Sequence, residues 1–117
     1  MSEIVVVVTD PLDGGTVERW AGELAAAVRH RPDRLVADLT DCAWIDAAAI
    51  VVMLRTHGQM LRAHGTFVLR RPPARVRRTL RLARVDQVLE VEEPALPHAR
   101  PPGLLDVPEP GLLADVR

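Results

Sequence analysis

The spacing of hydrophobic and polar positions changes several times along the chain, and each change marks an element. Residues 3–8, Glu-Ile-Val-Val-Val-Val, form a β-branched run that predicts a short buried strand. Pro11, Gly14 and Gly15 break it. From Thr16 the period lengthens. Val17, Trp20, Ala21, Leu24, Ala27 and Val28 recur at helical spacing, with Glu18, Arg19, Glu23 and Arg29 on the other side, until Pro32 ends the helix. Residues 34–39, Arg-Leu-Val-Ala-Asp-Leu, predict a second strand, and 40–46 the loop after it. A long helix is predicted from Ala47 to about His64, with Asp46 at its N-cap and Gly65 at the left-handed position that ends it. Its expected buried stripe is Ile50, Met53, Leu54, His57 and Leu61. Residues 66–69 predict a third strand. Pro73 opens a third helix near its first position, with Val76, Leu80 and Ala83 inward and the arginines outward. Residues 87–91 supply one more short strand.

The order is therefore β-α-β-α-β-α-β with short connections. Parallel neighbours need crossover helices, so this alternation predicts an α/β domain with a mainly parallel sheet of four to five strands. The domain is expected to occupy residues 1–92. Beyond it the texture shifts: six of the ten prolines lie in 93–117, where Pro-Gly-Leu-Leu-Asp-Val is nearly repeated as Pro-Gly-Leu-Leu-Ala-Asp-Val. That stretch reads as an extended or disordered tail.

Composition narrows the class. The 117 residues fit one small domain, and a hydrophobic share of 48% predicts a packed core rather than disorder. Aromatics make up only 3%, so that core is aliphatic. The single cysteine, Cys42, has no partner for an internal disulfide, which suits a reducing compartment. No apolar run is long enough to cross a bilayer, and the expectation is a soluble cytoplasmic protein without membrane insertion. The net charge of −1 conceals an uneven distribution. Residues 70–84 hold seven arginines and no acid, whereas seven acids face two arginines from Asp86 onward. No lysine occurs, which removes lysine-dependent mechanisms.

Residues 39–54, Leu-Thr-Asp-Cys-Ala-Trp-Ile-Asp-Ala-Ala-Ala-Ile-Val-Val-Met-Leu, join a strand end to the long helix through a turn of three alanines. This stretch, with the Asp38-Leu39-Thr40 strand ending before it, resembles the core pattern of STAS domains, the module of anti-sigma factor antagonists. The Asp-Pro-Leu-Asp-Gly-Gly turn at 10–15 and the order of elements down to Val91 extend the likeness. In the family's regulatory branch a serine directly after the helix-capping aspartate accepts phosphate from a kinase partner, the anti-sigma factor. By position that serine is Ala47 here, the second hydroxyl position is Ala48 and the family glycine is Ala49. The resemblance thus implies a binding module whose phosphoacceptor positions, Ala47 and Ala48, have lost their hydroxyls. The only serine is Ser2.

The expected contact surface is the tip formed by the turn at 10–15 and the loop and helix start at 41–49, with Asp13, Trp44, Asp46, Ala47, Ala48, Ala49 and Ile50 as partner-binding candidates. Asp46 is accounted for by capping, with partner contact in addition. Trp44 is either an exposed anchor or core. The partner implied is a kinase-fold anti-sigma factor. The alternative is the ATPase of an ABC-type lipid transporter, since the STAS subunits of such complexes look similar. Homodimerisation is left open.

Other chemistries find little support. Response-regulator phosphoacceptors share this element order, and Asp10, Asp38 and Asp41 stand at strand ends, but that family uses a lysine. No P-loop, Gly-x-Gly-x-x-Gly motif or Ser-His-Asp set is present, so no enzyme activity and no cofactor are expected. Asp13-Gly14-Gly15-Thr16 offers at most a weak phosphate cradle, the basis of a nucleotide-binding alternative. His57 and His64 share a helix face seven residues apart without a third ligand, so no metal is expected. The arginine helix reads as a solvated face partly paired with Glu90, Glu92 and Glu93, not as a nucleic-acid surface.

Overall fold

Four strands and three helices alternate as the hydrophobic pattern predicts: β1 (Glu3–Val7), α1 (Val17–Arg29), β2 (Arg34–Asp38), α2 (Ala47–Arg62), β3 (Thr66–Arg70), α3 (Ala74–Leu82) and β4 (Glu90–Glu92). The computed structural model describes residues 2–92; the proline-rich stretch at 93–117, expected to be extended or disordered, lies outside the described residues. All strands are parallel and lie in sequence order, β1-β2-β3-β4. Each crossover steps one place in the same direction. Right-handed connections of that kind put every helix on one face of the sheet.

That face holds the core. Ile4 and Val6 from β1, Leu35 and Ala37 from β2, Phe67 and Leu69 from β3 and Val91 from β4 meet Trp20 and Leu24 of α1, Met53 and Met60 of α2, and Val76 and Leu80 of α3. Among the described residues the opposite face carries no helix. There the register aligns Val5, Val36 and Val68 across three strands, ending at Glu90. Val36 and Val68 are nonetheless fully buried. Arg34 explains this for Val68: its Nη2 reaches Glu92 Oε1 at 2.9 Å, two strands away, so the side chain lies across β3. Arg70 Nε meets the same oxygen at 3.2 Å. Arg34 Nε sits 2.9 Å from Glu3 Oε2, an ion pair whose N–H is not aligned on the oxygen.

Three expectations change. β1 is an edge strand, not a buried one: its alternate residues Val5 and Val7 are 40% and 59% exposed. A run of consecutive valines has no period from which one face can be told from the other. The buried stripe of α2 is Ala49, Val52, Met53, Thr56 and Met60, so Leu54 and Leu61 face solvent. Ala83 is the exposed C-cap of α3 rather than part of its buried side.

The helix ends are also informative. Arg31, His64 and Arg84 adopt left-handed backbone, with φ of 50°, 64° and 62°, each one residue past the C-cap of its helix. After α2, His64 N–H bonds Leu61 O at 3.0 Å and Gly65 N–H bonds Met60 O at 2.8 Å, a Schellman closure. The left-handed residue is therefore His64 and not Gly65. Gly65 is required for space instead: an added Cβ would stand 3.0 Å from Pro32 O and 3.1 Å from Asp33 O. Pro73 is the N-cap of α3, one position earlier than expected.

Candidate protein-binding site

Two loops meet beyond the carboxyl ends of β1 and β2, where open parallel sheets place their working groups. Leu12 N–H donates to Trp44 O at 3.1 Å and Asp46 N–H donates to Leu12 O at 3.0 Å, a one-residue parallel bridge between Leu12 and Ile45. Both of those side chains are sunk in the core. The turn at 10–15 and the loop at 41–46 are thus held as one tip, as the sequence pattern suggested.

Asp13 spends its oxygens inside the turn. Its Oδ1 accepts from Gly15 N at 2.8 Å and Thr16 N at 3.1 Å, and its carbonyl accepts from Thr16 N and Val17 N. Thr16 Oγ1 donates to Pro11 O at 2.7 Å. The amides of Gly15, Thr16 and Val17 are thus taken up within the turn. Beside this turn a cleft of about 160 Å³ opens between β1 and α1, walled by Asp10, Arg19, Glu23 and Trp20 among others. Trp20 Nε1 is buried without an acceptor. Nothing in the residue pattern signals this cleft, because Trp20 fits the helical core stripe.

At the start of α2, Asp46 has extended backbone and its Oδ1 accepts from Ala48 N at 2.9 Å and Ala49 N at 3.3 Å. Ala47 is exposed, Ala48 is half-buried and Ile50 is half-buried against the core. Ala49 is fully buried, so it packs the helix onto the sheet and drops out of the candidate contact set. Trp44 is half-buried, between its two expected roles, and its carbonyl is held by Leu12.

The outer side of α2 was not foreseen. Ala47, Val51, Leu54, Gly58 and Leu61 follow the spacing that keeps residues on one face. Val51, Leu54 and Leu61 are 53%, 38% and 56% exposed. The stripe runs about 21 Å along the helix from the tip. The outward positions of α1 are charged by contrast, with Glu18, Arg19, Glu23 and Arg29 exposed.

The reactive groups nearby are held. Cys42 is fully buried, burial pushes its thiol pKa up, and its sulfur donates to Trp44 O at 3.5 Å. The Thr40 hydroxyl donates to Asp38 Oδ1 at 2.6 Å and Thr40 N–H at 3.0 Å. The hydroxyl, the amide and then Arg70 and Arg71 outweigh partial desolvation and hold the Asp38 carboxyl below its usual range. Among the described residues no three His, Cys, Asp or Glu side chains come together as a metal site. No described helix is long and apolar enough to cross a membrane. Glu92, one of the acids expected to pair with the arginine helix, binds Arg34 and Arg70 on the other face of the sheet.

The chain belongs to the family described as Mlab, STAS domain, whose family model matches residues 1–91. No curated protein matches it significantly. Among solved structures, an anti-sigma factor antagonist from Mycobacterium paratuberculosis is similar, with TM-score 0.72 and 22% identity over 84% of this chain and 82% of that one. A putative anti-sigma factor antagonist from Thermotoga maritima gives TM-score 0.67 at 18% identity, covering 81% of this chain and 83% of that one. The same Thermotoga protein determined by NMR gives 0.69 at 15% identity, over 83% and 78%. At these identities the likeness is one of fold.

Proposed function

We propose that this chain is a non-catalytic, cytoplasmic regulatory module that binds a kinase-fold anti-sigma factor through its tip and the outer face of α2, without a serine phosphorylation switch. One observation carries the reading: a solvent-facing apolar stripe begins at Ala47, the position that corresponds to the family's phosphoacceptor, and continues through Val51 and Leu54 to Leu61, with Gly58 and the Arg62 guanidinium beside it in between. Membership of the STAS family and a fold like that of anti-sigma factor antagonists support the same reading. Around the stripe, Asp13, Trp44, Asp46 and Ala48 frame the contact, and Ile50 supports it from the core side.

The mechanism is one of constant availability. A phosphoserine at the first turn would be stabilised by free amides and the helix dipole while adding about two negative charges to an apolar surface. Ala47 and Ala48 offer methyl groups and nothing to phosphorylate, so the surface stays neutral whatever kinase is present.

The test is capture from the source cell's lysate with the wild-type chain beside Ala47→Asp, bound proteins being identified by mass spectrometry. Aspartate at the first helical turn favours the helix, by about 0.3–1 kcal/mol, so loss of binding is not loss of fold. Capture of a kinase-fold anti-sigma factor by wild type, reduced at least tenfold by Ala47→Asp, is expected. Equal capture by both forms would refute the site. Capture of an ABC-type ATPase on the same terms would keep the site and change the partner. A calorimetric titration with GTP and ATP is expected to be flat.

A further inference from the structure

The outward face of α3 lies outside the tip and the apolar stripe of α2. Val76 and Leu80 fix the inward side of this helix, which places Arg75, Arg78, Arg81 and Leu82 on the outer side. Arg71 precedes the helix and Arg84 follows it, both exposed and both in left-handed backbone. None of Arg71, Arg75, Arg78, Arg81 and Arg84 makes an ion pair among the described residues, whose four close charge pairs involve Arg19, Arg34 and Arg70. No acid occurs between residues 70 and 84. Leu82, at 76%, is the most exposed large hydrophobic side chain of the described residues.

We infer that this face is a docking surface for anionic phospholipid headgroups. Charge complementarity requires an anionic partner, and five arginines on and flanking one short helix fall within the range that binds acidic membrane surfaces. The protruding Leu82 selects among anionic partners. A leucine on the binding face has no favourable contact with the phosphates of a nucleic acid, and no aromatic side chain stands among these arginines to stack on bases. At a bilayer surface the same leucine enters the boundary between headgroups and acyl chains while the guanidinium groups engage phosphates. The contact is peripheral.

The experiment is co-sedimentation of the full chain with vesicles of phosphatidylglycerol and phosphatidylcholine in equal parts, beside vesicles of phosphatidylcholine alone. Binding to the anionic vesicles only is expected. It should collapse as salt rises from about 0.1 M to about 1 M, which shortens the Debye length from ~10 Å to ~3 Å. Each arginine is worth about fivefold, so reversing two in Arg75→Glu/Arg78→Glu should weaken binding by roughly 25-fold or more. Arg75→Lys/Arg78→Lys should retain it, and Leu82→Ser should weaken it severalfold. These positions are exposed, and thermal melts should confirm that the fold is kept. Absence of binding to anionic vesicles at low salt, or wild-type binding by the charge-reversed protein, overturns the inference. So does tighter binding to a mixed-sequence DNA duplex than to the vesicles.

Discussion

Gly65→Ala separates two reasons for a glycine after α2. If Gly65 served as the left-handed residue, alanine there would be penalised by backbone conformation. The left-handed residue is His64, at φ 64°, and Gly65 is instead pressed against its neighbours. An alanine Cβ would lie 2.7 Å from Met60 Cε, 3.0 Å from Pro32 O and 3.1 Å from Asp33 O. The methionine tip is flexible, but Met60 is fully buried and has little room to retreat. The carbonyls are backbone, and Asp33 O already accepts Thr66 N–H at 3.0 Å where β3 begins beside β2. Relief therefore needs a shift of the helix end or of the strand entry. Overpacking of this kind costs about 1–3 kcal/mol. In a domain of this size each kcal/mol moves Tm by roughly 4–8 °C. Urea titration followed by tryptophan fluorescence measures the loss, and His64→Gly is the companion. Relief of the left-handed penalty, about 1–2 kcal/mol, less the chain entropy of glycine, should leave it more stable by about 0.5–1 kcal/mol. A neutral Gly65→Ala together with a destabilised His64→Gly would refute the assignment.

Two further outcomes bear on the tip. Asp46→Ala should lower stability by about 1 kcal/mol through loss of the cap to Ala48 and Ala49, while Asp46→Asn stays within a few tenths, measured by the same titration. Asp38 has a depressed folded-state pKa, so its stabilisation is complete above the unfolded carboxylate value of 3.8 and is lost as pH falls through the folded value. Thr40→Val removes the hydroxyl donor and should raise the Asp38 pKa in a carboxyl-carbon NMR titration, and the stability gap to wild type should close under acid. An unchanged titration would show that the hydroxyl is not the main cause.

Much of this architecture is legible in the residues because each helix start and end carries its own chemistry. Asp46 caps where an aspartate before an apolar helix should, and Val17, Trp20, Leu24 and Ala27 fix the inward side of α1 because charged residues occupy its other side. Legibility failed where that contrast is missing. From Ala47 to Leu54 every residue of α2 is apolar, so the sequence holds no phase, and the sheet selects Ala49, Val52 and Met53, small or slender side chains that let the helix approach. The same uniformity hid the edge position of β1. The tip was foreseen as a juxtaposition because Asp10-Pro11-Leu12 and Asp41-Cys42-Ala43 both follow strands that pair. The cleft beside Trp20 was not, because a buried indole looks like core whether or not its N–H finds a partner.

The uniformity of α2 is itself an argument about function. A helix covering one face of a four-stranded sheet needs only one apolar side; α1 obeys this with charged residues outside, and α3 does so apart from Leu82 at its end. Exposed Val51, Leu54 and Leu61 add nothing to the core and carry a solubility cost that a polar residue would avoid. Their presence on the helix that begins at Ala47 fits the proposed contact on that side. The missing hydroxyl at Ala47 and the exposed aliphatic area along the helix are independent features. A degenerate copy with no partner would account for the first and leave the second unexplained. The charged outer face of α3 lies apart from this stripe, so binding a protein on α2 and touching an anionic surface through α3 do not compete for the same residues.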